Sequence, residues 1–335
     1  MVTGPSRHSA TGVSSSTERV GTAAKPWPER FSYPAYPNGW FRVACSGDLR
    51  AGETRALRYF GRDLVLFRSE QGMPRVFDAH CPHLGAHLGV GGRVEGEALR
   101  CPFHAWVFDG EGKCIEVPYA KRVPARACVK SWPVAEKNGL VMVYHHAEDE
   151  PPGYEIPDLP QLTDPDWSAP VLKHWTVRSR WLDMNENCVD LAHFKYVHGT
   201  LSIPESEVSQ QAHLFRTDSV FEQKAPGGVA RGHLVTHDHG PGFQTVELDG
   251  ILDALLVNTA TPIDESYTDV IFAYHVKTEG DARKERLGDA MVADLVNQFE
   301  NDLPIWENKQ FWERPVLCDG DGPIGAYRKW MSQFF

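Results

Sequence analysis

The sequence lacks the features of membrane, secreted and nucleic-acid-binding proteins. It has no apolar run of about 18 residues, the minimum for a membrane-spanning helix, and no charged-then-apolar leader. Positive charge is scarce, since 34 Lys and Arg stand against 45 Asp and Glu, for a net charge of −11. Such a chain is not attracted to nucleic acid or anionic membranes. We expect a cytoplasmic protein with no membrane span and no nucleic-acid partner.

Cysteine is also infrequent, with seven residues in 335. An odd number in a reducing setting argues against a disulfide framework. Five have no ligand-like spacing, and we predict that they are buried small side chains: Cys45, Cys114, Cys128, Cys188 and Cys318.

The other two cysteines belong to a compact motif between Asp78 and Asp109. Cys81 and His83 form C-x-H, and Cys101 and His104 form C-x2-H. Zinc loops usually contribute two ligands of one kind, whereas each loop here offers one thiol and one imidazole. This pattern favours an asymmetric diiron centre, with both thiolates on one iron and both imidazoles on the other. A structural zinc knuckle is the alternative.

The chain is long enough for two domains with separate cores. Residues 1–25 are rich in Ser, Thr and Gly and are predicted to be a disordered tail. Short apolar runs separated by turn residues follow, which is typical of a small antiparallel barrel or sandwich with the Cys/His loops at hairpin tips. An acidic, Pro-rich stretch at 147–160 marks a boundary, so we predict domains at 26–150 and 151–335.

A second candidate metal site lies in LDMNENCVDLAHFKYVHG. Asn187, Asp190 and His193 are spaced three apart and share one face of a predicted helix. His198 follows five residues after His193, which places the two imidazoles about 140° apart on a straight helix. They can share a metal only if the helix is widened, as by a π-turn near 194–197, or ends between them. Two His and a carboxylate suit a mononuclear Fe(II) site, although ordinary core or surface histidines are the alternative.

A distant carboxylate completes this candidate site. A predicted helix from about Lys284 to Glu313 carries an apolar stripe, and Asp302 lies on that stripe. A buried carboxylate is costly unless it is paired or bound to a metal. Pro304 is expected to kink or break the helix nearby. A capping role for a buried Asp302 is the alternative.

Other histidines are weaker candidates. His233, His237 and His239 have the same parity on a predicted strand, so they face one side, where they form a wet sheet face, line a pocket or bind a metal. His80 and His87, beside the Cys/His loops, are expected to pack or to form hydrogen bonds.

CPHLG followed by CPFHAW resembles the cluster-binding loops of Rieske [2Fe–2S] proteins. The resemblance implies that Cys81 and Cys101 bind one iron and that His83 and His104 bind the other. The N-x2-D-x2-H-x4-H pattern about 80 residues later resembles the catalytic domain of Rieske non-haem iron oxygenases. The implied fold is α+β: an all-β Rieske domain, then a catalytic domain with an antiparallel sheet and helices of the helix-grip (START-like) type.

By the same resemblance, His193 and His198 are iron ligands, and QFEND matches a family pattern that makes Asp302 the third. Asp190 is then the bridging carboxylate to a cluster histidine of a neighbouring subunit in a homotrimer, and Asn187 lies beside the iron. O2 is the implied cosubstrate. Electrons come from NAD(P)H through a separate ferredoxin or ferredoxin reductase.

NGWFRVA, GKCIEVPYAKRVP and IWENK…LCDGDGP look most like the branch of 3-ketosteroid 9α-hydroxylases and cholesterol 7-desaturases. That likeness implies hydroxylation, desaturation or oxidative demethylation of a large apolar, steroid-like substrate. The sequence departs from the wider family at Ala105, where glycine is usual. It also lacks the aromatic-rich run expected after His198 and the anchor of the animal desaturases. Alternatives are an oxygenase for aromatic or natural-product substrates, a Rieske electron carrier, or a lipid carrier with a vestigial cluster.

Overall fold

Short antiparallel strands build the N-terminal part of the protein. The computed structural model describes residues 33–225 and 228–335, so the predicted tail at 1–25 lies outside the described residues. The first strands are β1 (Gly39–Cys45), β2 (Thr54–Tyr59), β3 (Arg62–Arg68), β4 (Pro74–Asp78), β5 (Arg93–Glu95), β6 (Ala98–Arg100), β7 (Val107–Phe108), β8 (Cys114–Glu116), β9 (Ser131–Trp132), β10 (Val134–Lys137) and β11 (Leu140–His145). They form three sheets with the orders β2-β3-β4-β9, β1-β11-β10 and β5-β6-β7-β8.

The apolar runs of the sequence become strands, as predicted. WFRVAC, RALRYF, DLVLFR, RVFDAH and GLVMVY correspond to β1 to β4 and β11. The turn between β10 and β11 shows why the chain reverses there. Asn138 and Gly139 both have positive φ, 55° and 75°, which is the backbone of a type I′ hairpin.

The two Cys/His loops differ in their connections. Residues 101–106 join the antiparallel neighbours β6 and β7, so the predicted hairpin tip is confirmed there. The first loop runs from β4 to β5, which lie in different sheets, so the prediction of a hairpin tip is wrong for it. Instead, an isolated bridge between His80 and His87 closes this loop.

A seven-stranded antiparallel sheet forms the C-terminal part, with the order β12-β18-β17-β16-β15-β14-β13. Its strands are β12 (Val171–Val177), β13 (Glu205–Gln211), β14 (Leu214–Ala225), β15 (Gly228–His239), β16 (Phe243–Asp249), β17 (Ala254–Pro262) and β18 (Thr268–Val276). The helices are α1 (Trp181–Asn185), α2 (Leu191–Tyr196), α3 (Ala282–Trp306) and α4 (Ile324–Met331). No helix in the described ranges is both long and apolar enough to cross a bilayer.

The first predicted helix is interrupted. A 3-10 turn, Glu186–Val189, separates α1 from α2, and Asp190 has the non-helical angles φ −81° and ψ 89°. The carboxylate of Asp190 accepts a hydrogen bond from the backbone N–H of His193, as an N-cap does. Asn187, Asp190 and His193 therefore do not share one continuous helical face, because the Asp190 side chain satisfies the first turn of α2 instead.

Helix α3 packs one apolar face on the sheet. Val292 shares a buried cluster with Tyr274 and Val276 of β18, and the ring of Phe299 lies 4.7 Å from that of Phe272, also on β18. The helix ends at Trp306, earlier than predicted, and it continues through Pro304 without a break. Because Pro304 lies in the last turn, its missing N–H removes one hydrogen bond close to an end that frays in any case.

A buried ion pair joins β1 to β18. Arg42 Nη2 donates to Asp269 Oδ2 at 2.7 Å, and both side chains are less than a tenth exposed. Tyr59 Oη donates to the same carboxylate oxygen at 2.5 Å. Burial alone would raise the pKa of Asp269, but Arg42 and the tyrosine hydroxyl outweigh it and lower the pKa.

Candidate metal centres and cavity

The two Cys/His loops bring their side chains together in pairs of one kind. Cys81 and Cys101 belong to one buried cluster, where the two thiols interact electrostatically, and the ring centroids of His83 and His104 are 4.6 Å apart. Both cysteines are buried, whereas both histidines are half-buried. Pairing thiol with thiol and imidazole with imidazole is the arrangement that an asymmetric diiron cluster needs.

Backbone hydrogen bonds set the shape of each loop. The N–H of Cys81 donates to Ala86 O at 2.9 Å, and the N–H of Cys101 donates to Trp106 O at 2.8 Å. Ala105 has φ +57°, in the left-handed region that favours glycine. The sequence departs from the wider family at this residue, so Ala105 is under a backbone strain that glycine would avoid.

The donor atoms of the loops fit a [2Fe–2S] cluster. Nδ1 of His83 is buried and has no hydrogen-bond partner among the described residues, and this ring stacks on Trp106 at 4.7 Å. Burial raises the pKa of the Cys81 thiol to about 11, so a metal must supply the positive charge that holds a thiolate here. Leu84 and Phe103 beside the histidines are 66% and 61% exposed, which leaves an apolar rim open to a partner.

The second group of candidate ligands also comes together. The ligand atoms of His193, His198 and Asp302 all lie within 4.8 Å of one another. The helix α2 ends at Tyr196, and the N–H of His198 reaches the carbonyl of His193 at 3.4 Å, five residues back. The sequence required a helix end or a widened turn for His193 and His198 to share a metal, and both are present here.

The orientation of His193 leaves one ring nitrogen available for a metal. Its Nδ1 contacts the backbone carbonyl of Asp190, so Nε2 carries the free lone pair and faces Asn187 Nδ2 at 3.1 Å. Burial lowers the pKa of this imidazole, which favours the neutral form that binds metals.

Asp302 is held by polar neighbours in an apolar setting. It is 6% exposed, on the apolar face of α3, as the stripe predicts. Its Oδ2 lies 3.3 Å from His198 Nε2 and accepts from Asn187 Nδ2, also at 3.3 Å. Nδ1 of His198 is buried without a partner among the described residues. Two imidazole nitrogens and a carboxylate thus converge on one point, a donor set that suits Fe(II).

A cavity of about 190 Å³ lies beside this triad. His193 and Asp302 line it, together with Asn187 and Phe194. Most of the remaining lining is apolar and comes from α3 and the sheet: Leu234, Phe243, Val246, Leu256, Ala260, Val270, Phe272, Leu295, Phe299 and Trp306. Leu256 and Ala260 of this lining come from the apolar run ELDGILDALLVNTATPI.

The weaker histidine candidates lie elsewhere. His233 pairs with Asp218 Oδ1 at 2.5 Å, and His237 and His239 contact each other with ring centroids 6.1 Å apart. The cavity is lined by the opposite parity of β15, Leu234 and Thr236, so the idea that the three histidines line it is wrong. The one triad of metal-ligand type found in the described ranges is that of His193, His198 and Asp302.

The remaining predictions on single residues are mixed. His80 forms hydrogen bonds with Gly85 O and Asp63, and His87 accepts from the N–H of Gly89, as expected. Cys114 is buried, and Cys45 and Cys188 are half-buried, but Cys128 and Cys318 are exposed, contrary to prediction. Both exposed cysteines lie outside the named strands and helices, although Cys128 pairs with Lys113 in an isolated bridge.

The sequence reasoning missed a polar set beside the cavity: Asp238, Gln244 and Asn258. The signal was present, because an Asn inside the apolar strand ALLVNTATP must either find partners or serve a ligand. Asp238 was also overlooked between His237 and His239.

Two family models match this chain, one over each part. Residues 39–133 match the Rieske [2Fe-2S] domain, and residues 143–335 match the 3-ketosteroid 9alpha-hydroxylase C-terminal domain. A cholesterol 7-desaturase of Caenorhabditis elegans is 32% identical over 90% of this chain and 77% of its own length. A 3-ketosteroid-9-alpha-monooxygenase oxygenase component of Rhodococcus rhodochrous is 28% identical over 97% of this chain and 85% of its own.

Solved structures share the fold. The protein NdmA of Pseudomonas putida CBB5, in a structure with caffeine, superposes with a TM-score of 0.73 at 21% identity, over 88% of this chain and 89% of that one. At this identity the likeness concerns the fold alone. The family matches, together with the paired thiols and imidazoles of the two loops, show that this chain is a Rieske non-haem iron oxygenase of the branch that contains the 3-ketosteroid 9α-hydroxylases and the cholesterol 7-desaturases.

Proposed function

We propose that this protein is the oxygenase component that oxidises a C–H bond of a large, apolar, steroid-like substrate with O2. The observation that carries the proposal is that His193 and Asp302 line the same largely apolar cavity. A hydrophobic substrate that fills the cavity therefore lies beside the candidate metal ligands. The names of the relatives, a steroid monooxygenase and a sterol desaturase, support this substrate class.

Each metal has a proposed set of residues. Cys81, Cys101, His83 and His104 would hold the [2Fe–2S] cluster, and His193, His198 and Asp302 would hold a mononuclear Fe(II). When bound, the cluster supplies single electrons, and the Fe(II) provides open positions where O2 is activated. The apolar lining excludes water from the substrate, and the amide of Asn187 holds Asp302 in place by donating to its carboxylate.

Electrons would enter from a separate ferredoxin or reductase, which draws them from NAD(P)H. The exposed rim of Leu84 and Phe103 beside the cluster histidines suits such a partner. We further propose a homotrimer, in which the half-buried Asp190 links His193 to a cluster histidine of the adjacent subunit. Domains at 26–150 and 151–335 and a reducing, cytoplasmic setting belong to the same proposal.

Metal content is the first test. Anaerobically purified protein should contain about three irons and two acid-labile sulfides per chain, with a Rieske-type EPR signal after reduction. O2 uptake should then depend on both a reductase and a steroid. Zinc in place of iron, or a full set of metals with no steroid-dependent O2 uptake across a broad panel, would contradict the proposed function.

A further inference from the structure

Three polar side chains form a row across the sheet beside the cavity. Asp238 on β15 lies directly opposite Gln244 on β16, and Gln244 lies directly opposite Asn258 on β17. Gln244 Nε2 donates to Asp238 Oδ1 at 2.8 Å, and Asn258 Nδ2 donates to Gln244 Oε1 at 2.9 Å. Asp238 is 1% exposed and Asn258 is 8% exposed, so both ends of the row are buried, whereas Gln244 between them is half-buried.

The carboxyl group at one end fixes the direction of the whole row. A carboxylate only accepts hydrogen bonds, so Gln244 must turn its amide nitrogen toward Asp238. Gln244 Oε1 then faces Asn258, which must donate with Nδ2. Cys188 Sγ is 3.5 Å from the other oxygen of Asp238, Oδ2. The thiol donates to Oδ2 and Gln244 donates to Oδ1, so both oxygens of the ionised Asp238 accept hydrogen bonds, and this ionised form sets the direction of the row.

The row ends on an acceptor without a partner. Asn258 Oδ1 is buried and has no hydrogen bond among the described residues. Asn258 itself lines the cavity beside the triad, and so do its strand neighbours of the same parity, Leu256 and Ala260. A buried carbonyl that is left unpaired is costly, whereas one that meets a donor of the ligand is favourable. The unpaired carbonyl thus belongs to a residue of the cavity wall, where Gln244 and Thr259 are its polar neighbours.

We propose that Asn258 is a specificity-determining residue whose side-chain carbonyl accepts a hydrogen bond from a hydroxyl group of the apolar substrate. This inference rests on the proposed function, and it narrows the substrate class from steroids in general to steroid alcohols. A ketone of the same skeleton brings a second acceptor to Asn258 Oδ1 and leaves both oxygens unpaired. A site built to pair a hydroxyl rejects the analogue that lacks the donor.

The discriminating test is equilibrium binding of three matched steroids: androstanol, androstanone and androstane. They share one ring skeleton and carry a hydroxyl, a carbonyl or only hydrogen. Binding is measured anaerobically on the metal-loaded protein without a reductase, at about pH 8, so that no turnover contributes. We expect androstanol to bind about tenfold more tightly than androstanone.

Two variants test whether the preference for the alcohol over the ketone comes from the row of Asp238, Gln244 and Asn258. Asn258→Leu should abolish the difference between alcohol and ketone and leave the affinity for androstane intact, which also shows that the cavity is preserved. Asp238→Asn changes no residue that lines the cavity, but the new amide can donate as well as accept. The row can then run in either direction, so the preference should shrink even if Asn258→Leu does not fold.

Equal affinity for the alcohol and the ketone, as when a cavity water satisfies Asn258, would overturn the inference. A preference that both variants retain would also overturn it. These results would leave the proposed oxygenase function standing, because steroid-dependent O2 uptake is measured separately. If none of the three steroids binds, the steroid class of the proposed function is wrong, and this inference falls with it.

Discussion

The imidazoles of His193 and His198 lie 4.9 Å apart, centroid to centroid, although His198 follows five positions after His193. On a continuous α-helix they would project about 140° apart. They meet because α2 ends at Tyr196, and the next turn closes with the wider bond from His198 N–H to His193 O. The end of a short helix thus creates the pair, and Asp302 of α3 approaches it from a distant part of the chain.

This geometry predicts the effect of removing one imidazole. His193→Ala should lose the mononuclear iron and retain the Rieske absorption, because the cluster candidates lie on other loops. Iron per chain should fall from about three to about two. His237→Ala is a matched control from β15, and it should keep all of the iron. Loss of the cluster signal in His193→Ala would mean that the ligand sets are misassigned.

Asp190 has two separable roles that a pair of variants can distinguish. Its carboxylate caps α2 by accepting from the backbone N–H of His193 at 3.3 Å, and we propose that it also carries electrons between subunits. Asn caps helices about as well as Asp. Asp190→Asn should therefore keep both metals and the stability of the protein, yet lose turnover at least about a hundredfold, as for a removed catalytic group.

Asp190→Ala should lose turnover as well and should also cost about 1 kcal/mol of stability through the missing cap. Single-turnover product formation and thermal unfolding measure the two effects independently. Near-normal turnover in Asp190→Asn would restrict this residue to capping.

Ala105 offers a test of backbone strain in the second cluster loop. An alanine at φ +57° carries about 1–2 kcal/mol of backbone strain in the folded state. Glycine removes this strain, but it also increases the conformational entropy of the unfolded chain, which offsets part of the gain. Ala105→Gly should raise the free energy of unfolding by up to about 1 kcal/mol. Ala105→Val should lower it and weaken cluster retention, since β-branched residues avoid this region. Denaturation followed by cluster absorbance gives both values, and destabilisation by glycine would contradict the strain argument.

Asp238 predicts a dependence of stability on pH. Burial raises its pKa from 3.8 to about 7, so the folded state holds a proton that the unfolded state loses. Between about pH 4 and pH 7, Asp238 is protonated in the folded state and ionised in the unfolded state. Its contribution to the free energy of unfolding therefore falls as pH rises, by up to about 1.4 kcal/mol per pH unit.

Asp238→Asn does not titrate, so its unfolding temperature relative to the unmodified protein should rise between about pH 5 and pH 7 and then level off. Glu247→Gln on the neighbouring strand β16 serves as a control, because Glu247 is exposed and should show little change. Parallel pH profiles for Asp238→Asn and the unmodified protein would show that Asp238 is not buried in its protonated form.

The sequence predicted much of this protein because several patterns are local. The strands β1 to β4 and β11 follow from alternating or continuous apolar runs between turn residues, and the C-x-H and C-x2-H spacings are readable from single loops. The burial of Asp302 followed from its place on an apolar helical stripe. These features depend on neighbours within a few residues, where the geometry of helices and strands is fixed.

Other features escaped prediction because they depend on distant parts of the chain. The break at Asp190 was missed, since a helix-compatible sequence gave no hint that the carboxylate would cap the next turn. The sequence does not determine which face of the sheet carries His233, His237 and His239. Strand alternation places the three on one face, but it does not say whether that face or the opposite one lines the cavity. The exposure of Cys128 and Cys318 depends likewise on what packs over them.

By itself the sequence determined the chemistry available: two thiols, a set of imidazoles and one carboxylate on an apolar stripe. Only the tertiary structure decided how these groups combine. It paired Cys81 with Cys101 and His83 with His104, and it brought Asp302 to the histidines across more than a hundred residues of chain. It also aligned Asp238, Gln244 and Asn258 across three strands. The physical reason is that strand register and helix packing, which bring these residues together, are set by the burial of the whole apolar surface.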